Sequence, residues 1–206
     1  MKRSKFVSML IPYICMITGL HIFKNVWVAI LSYHFLIAFV LFKERRVINF
    51  KSAFSGWNLR TALFLSVIFS VNGLLFYFLW DKIQLSVGDL SGKLAILKIS
   101  DKSLKIFILY YCIVTPVLEE FFWREYLNSG SYSLSISDIF FGGYHVIVLI
   151  IFIDFYLSIP TFITLTIVAW IWRRTAIKLN GLSVCIVSHL IADVSTMIAL
   201  FCILVK

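Results

Sequence analysis

Charge is scarce in this chain. Asp, Glu, Lys and Arg make up 14% of its 206 residues, while 61% are hydrophobic. A water-soluble domain of this size carries about a quarter charged residues, so too little polar surface is present here to cover a water-facing globule. The shortage is sharpest in runs 6–23, 25–42, 61–80 and 155–172, which hold no Asp, Glu, Lys or Arg. A helix needs about 20 mainly apolar residues to cross the hydrocarbon core, and each run is long enough. Linkers are missing too. No Pro/Gly/Ser-rich stretch, charge-rich tail, internal repeat or low-complexity tract divides the chain, which therefore reads as one integral membrane domain over 1–206. The four cysteines, Cys15, Cys112, Cys185 and Cys202, all sit in apolar runs with no CxxC pair among them. They read as small buried hydrophobes and say nothing firm about redox compartment. The chain has no Gly-x-Ser-x-Gly elbow and no His-Glu-x-x-His helix. Those absences weigh against a serine hydrolase and a zincin.

What is present is a series of apolar segments. Seven spans are expected, near 6–23, 25–42, 61–80, 105–123, 134–153, 155–172 and 180–204. An eighth helical piece is possible in 81–104, at the interface or as an ordered loop. The fold class is thus all-α, a polytopic transmembrane helical bundle of about seven to eight spans. Lys2, Arg3 and Lys5 ahead of the first apolar run resemble a signal peptide, but no clear cleavage site follows, so a retained first helix is expected.

The net charge of +9 does not point to nucleic acid, because the basic residues cluster at the ends of apolar runs. With the N-terminus inside, that face holds Lys2, Arg3, Lys5, Lys43, Arg45, Arg46, Lys51, Arg60, Arg124, Arg173, Arg174 and Lys178. The other face holds Lys24, Lys82, Lys93, Lys98, Lys102, Lys105 and Lys206. The twelve-to-seven bias favours a cytoplasmic N-terminus, and seven spans then put the C-terminus outside.

Ionisable groups inside spans are costly and mark function by default. Glu119 and Glu120 lie in the fourth span, His145 in the fifth, and His189 with Asp193 in the seventh. Glu120 and Arg124 are four apart, acid first, and can pair on one helix face. Glu119 lies about 100° around the helix and has no such partner. An unpaired carboxylate in low dielectric moves toward the range of a general base. Pro116 deprives the Cys112 carbonyl of its donor, so a kink is expected just before the glutamates. Gly142 and Gly143 allow another helix to come close to His145. His189 and Asp193 stack one turn apart, and an aspartate can orient an imidazole. His21 lies near a helix end. His34 reads as a neutral histidine bonded to a carbonyl, and Asp138 as a helix cap. Each group also has a bland reading, as a snorkelling interfacial charge, a packing notch or polar helix glue.

Taken in order, these segments resemble the CAAX protease and bacteriocin-processing family of intramembrane glutamic endopeptidases. The family pattern is Glu-Glu-x-x-x-Arg, then Phe-x-x-x-His, then His-x-x-x-Asn or Asp, on separate helices. Here it reads Glu119, Glu120 and Arg124, then Phe141 and His145, then His189 and Asp193. The resemblance covers about the C-terminal hundred residues, within 105–206, and suggests a prokaryotic member in the cell's inner membrane. It implies that Glu119 and His145 activate the attacking water, that His189 and residue 193 stabilise the oxyanion, and that Glu120 and Arg124 form a supporting ion pair. Members that process CAAX proteins carry Asn where this chain has Asp193. A carboxylate donates a hydrogen bond only when protonated, so Asp193 is expected instead to orient His189.

The expected activity is cleavage of a peptide or membrane-anchored protein at the bilayer, with no cofactor. Two alternatives stand beside it. A zinc protease could use Glu119, His145 and His189 as its ligands. A non-catalytic membrane protein, such as a bacteriocin self-immunity factor, would use the polar groups structurally. Under the hydrolytic reading, a polar cavity opening toward the cytoplasm is expected around Glu119, His145 and His189.

Overall fold

The computed structural model describes residues 3–45, 49–83 and 90–205. Helices and the turns between them account for these residues, with no β-strand among them. The chain opens with α1 (Arg3–Ser8) and α2 (Ile11–Met16), which widens into a π-helical turn over Ile17–Ile22. The first span is therefore interrupted, and Pro12 at the start of α2 supplies the reason, since it has no N–H to continue α1. Next come α3 (Val26–Lys43), a 3₁₀ turn (Phe50–Phe54) and α4 (Leu59–Ile83). Asn25 caps α3, its side chain accepting from the amides of Trp27 and Val28. The α5 helix (Leu90–Ile96) precedes α6 (Asp101–Glu120), which continues as a π-helix through Phe121–Tyr126. The last three helices are α7 (Ile136–Leu149), α8 (Phe155–Leu179) and α9 (Ser183–Leu204). Asn180 ends α8 in the left-handed conformation, with φ 51°.

Six of these segments are long and apolar enough to cross a membrane. The α7 helix has 14 residues, about 21 Å at 1.5 Å each, and is shorter than the expected span 134–153. It still runs from one end of the bundle to the other. At the first end, the Asn49 amide donates to Glu125, the amides of Leu182 and Ser183 donate to the carbonyls of Ser52 and Ser55, and Arg173 bonds the 131–133 backbone. The Lys5 ammonium lies over Tyr126 at that same end. At the second end, the Val26 amide donates to Leu97, Lys93 donates to the Phe152 carbonyl, and the His21 ring bonds the Ile147 carbonyl. The short helix plus the turns over 150–153 thus complete a seventh pass, and the two chain ends lie at opposite ends of the bundle. The stretch 81–104 holds the end of α4, the seven-residue α5 and the start of α6, and its residues 84–89 lie outside the described residues. So do Lys2, Arg46 and Lys206 of the charge comparison.

Glycines set the closest helix contacts. A Cβ on Gly142 would strike Thr166 and the Phe162 carbonyl of α8, and one on Gly143 would strike the Tyr13 hydroxyl of α2. The expected close approach at this pair is therefore made on both sides. Gly73 of α4 lies against the Ser195 backbone of α9, and Ser195 donates to the Ser70 carbonyl at 2.6 Å. Outward-facing surfaces are apolar, as on α8, where Ile159, Ile163 and Ile167 are each about half exposed.

Candidate active site

The α6 helix carries two adjacent carboxylates that face different neighbours, as a 100° step per residue requires. Glu119 points between α3 and α7. Its Oε1 accepts from Tyr33 at 2.9 Å and from Tyr144 at 2.5 Å. Tyr33 in turn accepts from the Trp123 indole at 3.3 Å. Glu119 Oε2 has no hydrogen-bond partner among the described residues and lies 3.9 Å from His189 Nε2. Glu120 faces α9, where its Oε1 is 2.9 Å from His189 Nδ1. Its Oε2 forms the expected ion pair with Arg124 Nε at 3.4 Å. Both glutamates and Arg124 are buried, each at most 1% exposed. Ions so enclosed persist only when paired. Aromatic faces complete the enclosure. The Arg124 guanidinium lies 4.5 Å from the Phe141 ring centroid and 5.4 Å from that of Trp172.

His189 occupies the centre. Its ring stacks on Trp172 at 4.4 Å, and the Trp172 indole is held by Ser188 at 2.9 Å. Because Nδ1 faces a carboxylate that can only accept, Nδ1 carries a proton. Nε2 is directed toward Glu119 Oε2 and toward Asp193 Oδ2, 3.7 Å away. Asp193, expected to orient His189, lies within ion-pair reach of Nε2, and Glu120 joins it at the other nitrogen. Glu120 makes the hydrogen bond that fixes the ring, while Asp193 lies beyond hydrogen-bond distance at the opposite nitrogen. The four-residue spacing put Asp193 on the right face, and a longer side chain from a neighbouring helix reaches Nδ1.

His145 joins the site through rings. It packs on Tyr144 at 4.0 Å and on Phe141 at 4.7 Å, and Phe141 meets His189 edge-on at 6.3 Å. Nδ1 lies 2.7 Å from the Phe141 carbonyl, an acceptor, so the neutral ring carries its proton there and keeps a lone pair on Nε2. The expected polar cavity differs from what is observed. The Glu119, Glu120 and His189 side chains are enclosed, with Asp193 near the edge and His145 half-buried. Pro116 does not end the helix before the glutamates. The α6 helix passes through Pro116, and its register widens after the glutamates, at Phe121. Such π-turns are frequent at functional sites. The zinc alternative needs Glu119, His145 and His189 to converge, and no group of three potential ligands is arranged to hold a metal among the described residues.

Sequence reasoning missed Tyr33, Tyr144 and Trp172. Their signal was a phenol or indole inside an apolar span, where each polar hydrogen needs a partner. Two minor expectations also change. His34 Nδ1 meets the Tyr110 hydroxyl at 2.8 Å in place of a carbonyl. Asp138 does accept from the Ser135 amide as a cap, and it is also ion-paired with the buried Arg173 at 2.7 Å.

This geometry coincides with a family match. A family model described as type II CAAX prenyl endopeptidase Rce1-like matches residues 101–195. Over those residues, just under half of the chain, it is similar to the CAAX protease family. The matched stretch contains every side chain of the cluster except Tyr33. Comparison with curated proteins and with solved structures gives no match. The CAAX protease family consists of membrane endopeptidases, and the bundle is that of an integral membrane protein.

Proposed function

We propose that this protein is an intramembrane glutamic endopeptidase that cleaves a peptide or membrane-anchored protein through water activated by Glu119 and His145. The observation that carries the reading is Glu119 itself. One oxygen is pinned by two tyrosines, while the other is buried, unpartnered and turned toward His189 Nε2. A water attacking the scissile carbonyl gives its proton to Glu119 Oε2 and is aligned by the lone pair on His145 Nε2. The new C–O bond puts negative charge on the carbonyl oxygen. His189 in its imidazolium form donates to Glu120 from Nδ1 and to that oxyanion from Nε2. Collapse breaks the C–N bond, and Glu119 returns its proton to the leaving amine. Glu120 and Arg124 position His189 and stay outside the bond changes. Asp193 lies beside Nε2, on the oxyanion side of the ring. A CAAX-type substrate follows from the family alone, and bacteriocin or other peptide maturation uses the same chemistry.

The test is cleavage of a quenched peptide by purified protein in detergent. Glu119→Gln should lower kcat/KM by about 100-fold or more, the contribution of a general base. Strong chelators should leave the parent's rate unchanged. Parent-like cleavage by Glu119→Gln would overturn the glutamate mechanism, and loss of activity in chelator would turn the reading to a metalloprotease.

A further inference from the structure

A second polar feature lies on the same end of the bundle as the cluster, on the outer face of α8. Tyr132, Trp170, Ile171, Arg174, Thr175 and Lys178 line a groove of about 250 Å³. Among the described residues, two cations and no carboxylate line it. Its walls are held in place. The Trp170 indole donates to the Tyr132 carbonyl at 2.9 Å, and the Arg174 guanidinium lies over both rings, 4.7 Å from Trp170 and 5.7 Å from Tyr132. The loop carrying Tyr132 is fixed from behind by Arg173, which bonds the Ser131 and Ser133 carbonyls and the Asp138 carboxylate. Arg174 is thus pre-oriented by its flat faces, which leaves its N–H edges for an acceptor.

The surface leading away from the groove is equally informative. Ile159, Ile163 and Ile167 are exposed at four-residue spacing and continue into Ile171 of the groove. From residue 174 back to residue 159 the helix rises about 22 Å, close to the length of an extended acyl chain. Cations and aromatic rings at one end of an exposed apolar track match an amphiphile with an anionic head. We propose that this groove holds the phosphate of an anionic phospholipid between Arg174 and Lys178, with one acyl chain along Ile159, Ile163, Ile167 and Ile171. Free phosphate would use the cations and leave the track idle.

Native mass spectrometry on the full chain released from detergent tests the proposal, and its readout is independent of any peptidase activity. The parent should retain one phosphatidylglycerol in preference to phosphatidylcholine. Charge removal should weaken that binding about fivefold per cation in Arg174→Gln and Lys178→Gln, and more in the double variant. Ile163→Ser with Ile167→Ser should weaken it with both cations intact. The single Lys178→Gln change, at an exposed position, serves if the double variant folds poorly. Equal retention of the two lipids would overturn the proposal, as would undiminished phosphatidylglycerol binding by the charge variants. Displacement of the lipid by millimolar inorganic phosphate would reassign the groove to a free anion.

Discussion

At the scale of single residues, the site depends on which atom of each ionisable group is already engaged. Tyr144 donates to the same Glu119 oxygen as Tyr33, so the two phenols fix the carboxylate plane and leave Oε2 to the reaction. Tyr144→Phe keeps the ring contacts with His145 and Trp123 but removes a hydrogen bond to a charged acceptor, worth roughly 1.5–3 kcal/mol. The expected result is a kcat lower by about 10- to 100-fold with KM little changed, read from steady-state kinetics. A second comparison separates the two acids around His189. Glu120 holds the ring and neutralises Arg124, so Glu120→Gln should lower stability by about 3–5 kcal/mol, as for one partner removed from a buried pair. Asp193→Asn removes a carboxylate that makes no hydrogen bond to the ring and supplies a permanent N–H donor near Nε2. That variant should fold like the parent and keep cleavage within a few-fold. Thermal unfolding and peptide cleavage measured on both variants would check the contrast, and equal losses would contradict it.

Among the elements, α6 brings the chemistry and its neighbours supply the constraints. Tyr33 comes from α3, Tyr144 and His145 from α7, Trp172 from α8, and His189 from α9. Close packing of these helices therefore fixes the site, and the smallest residues at their contacts become sensitive positions. Gly73 is one, because a side chain there meets the Ser195 backbone of α9. Gly73→Leu should push α4 from α9 and cost about 1–3 kcal/mol or more, as overpacking does. The loss should be visible as a lower Tm in detergent, whereas Gly130→Ala, at a loop position open on all sides but with φ 69°, should cost less. The existence of α3, α4 and α8 was legible in their charge-free runs, and that of α9 in an apolar run broken by Asp193 alone. The break at Pro12, the π-turns and the shortness of α7 were not. Hydropathy counts apolar residues and is blind to which hydrogen-bond register they adopt.

For the whole molecule, seven passes place the two chain ends at opposite ends of the bundle. The arginines at described positions lie at the end that holds the N-terminal helix, while among the described residues the other end carries lysines and His21 as its basic groups. The expected orientation has the N-terminus cytoplasmic. Reporter fusions at the two termini should read cytoplasmic at the N-terminus and external at the C-terminus, and both on one side would contradict the seventh pass through α7. The sequence by itself determined that this chain enters a bilayer and that five ionisable residues cannot face lipid, because length, hydropathy and the four-residue turn are properties of a linear pattern. It also paired Glu120 with Arg124, since both lie on one helix. Only the tertiary structure decided that Tyr33 holds Glu119 from 86 positions away and that Glu120 holds His189 at Nδ1. Contacts between helices depend on how the helices rotate and pack against one another, and no spacing along the chain encodes that.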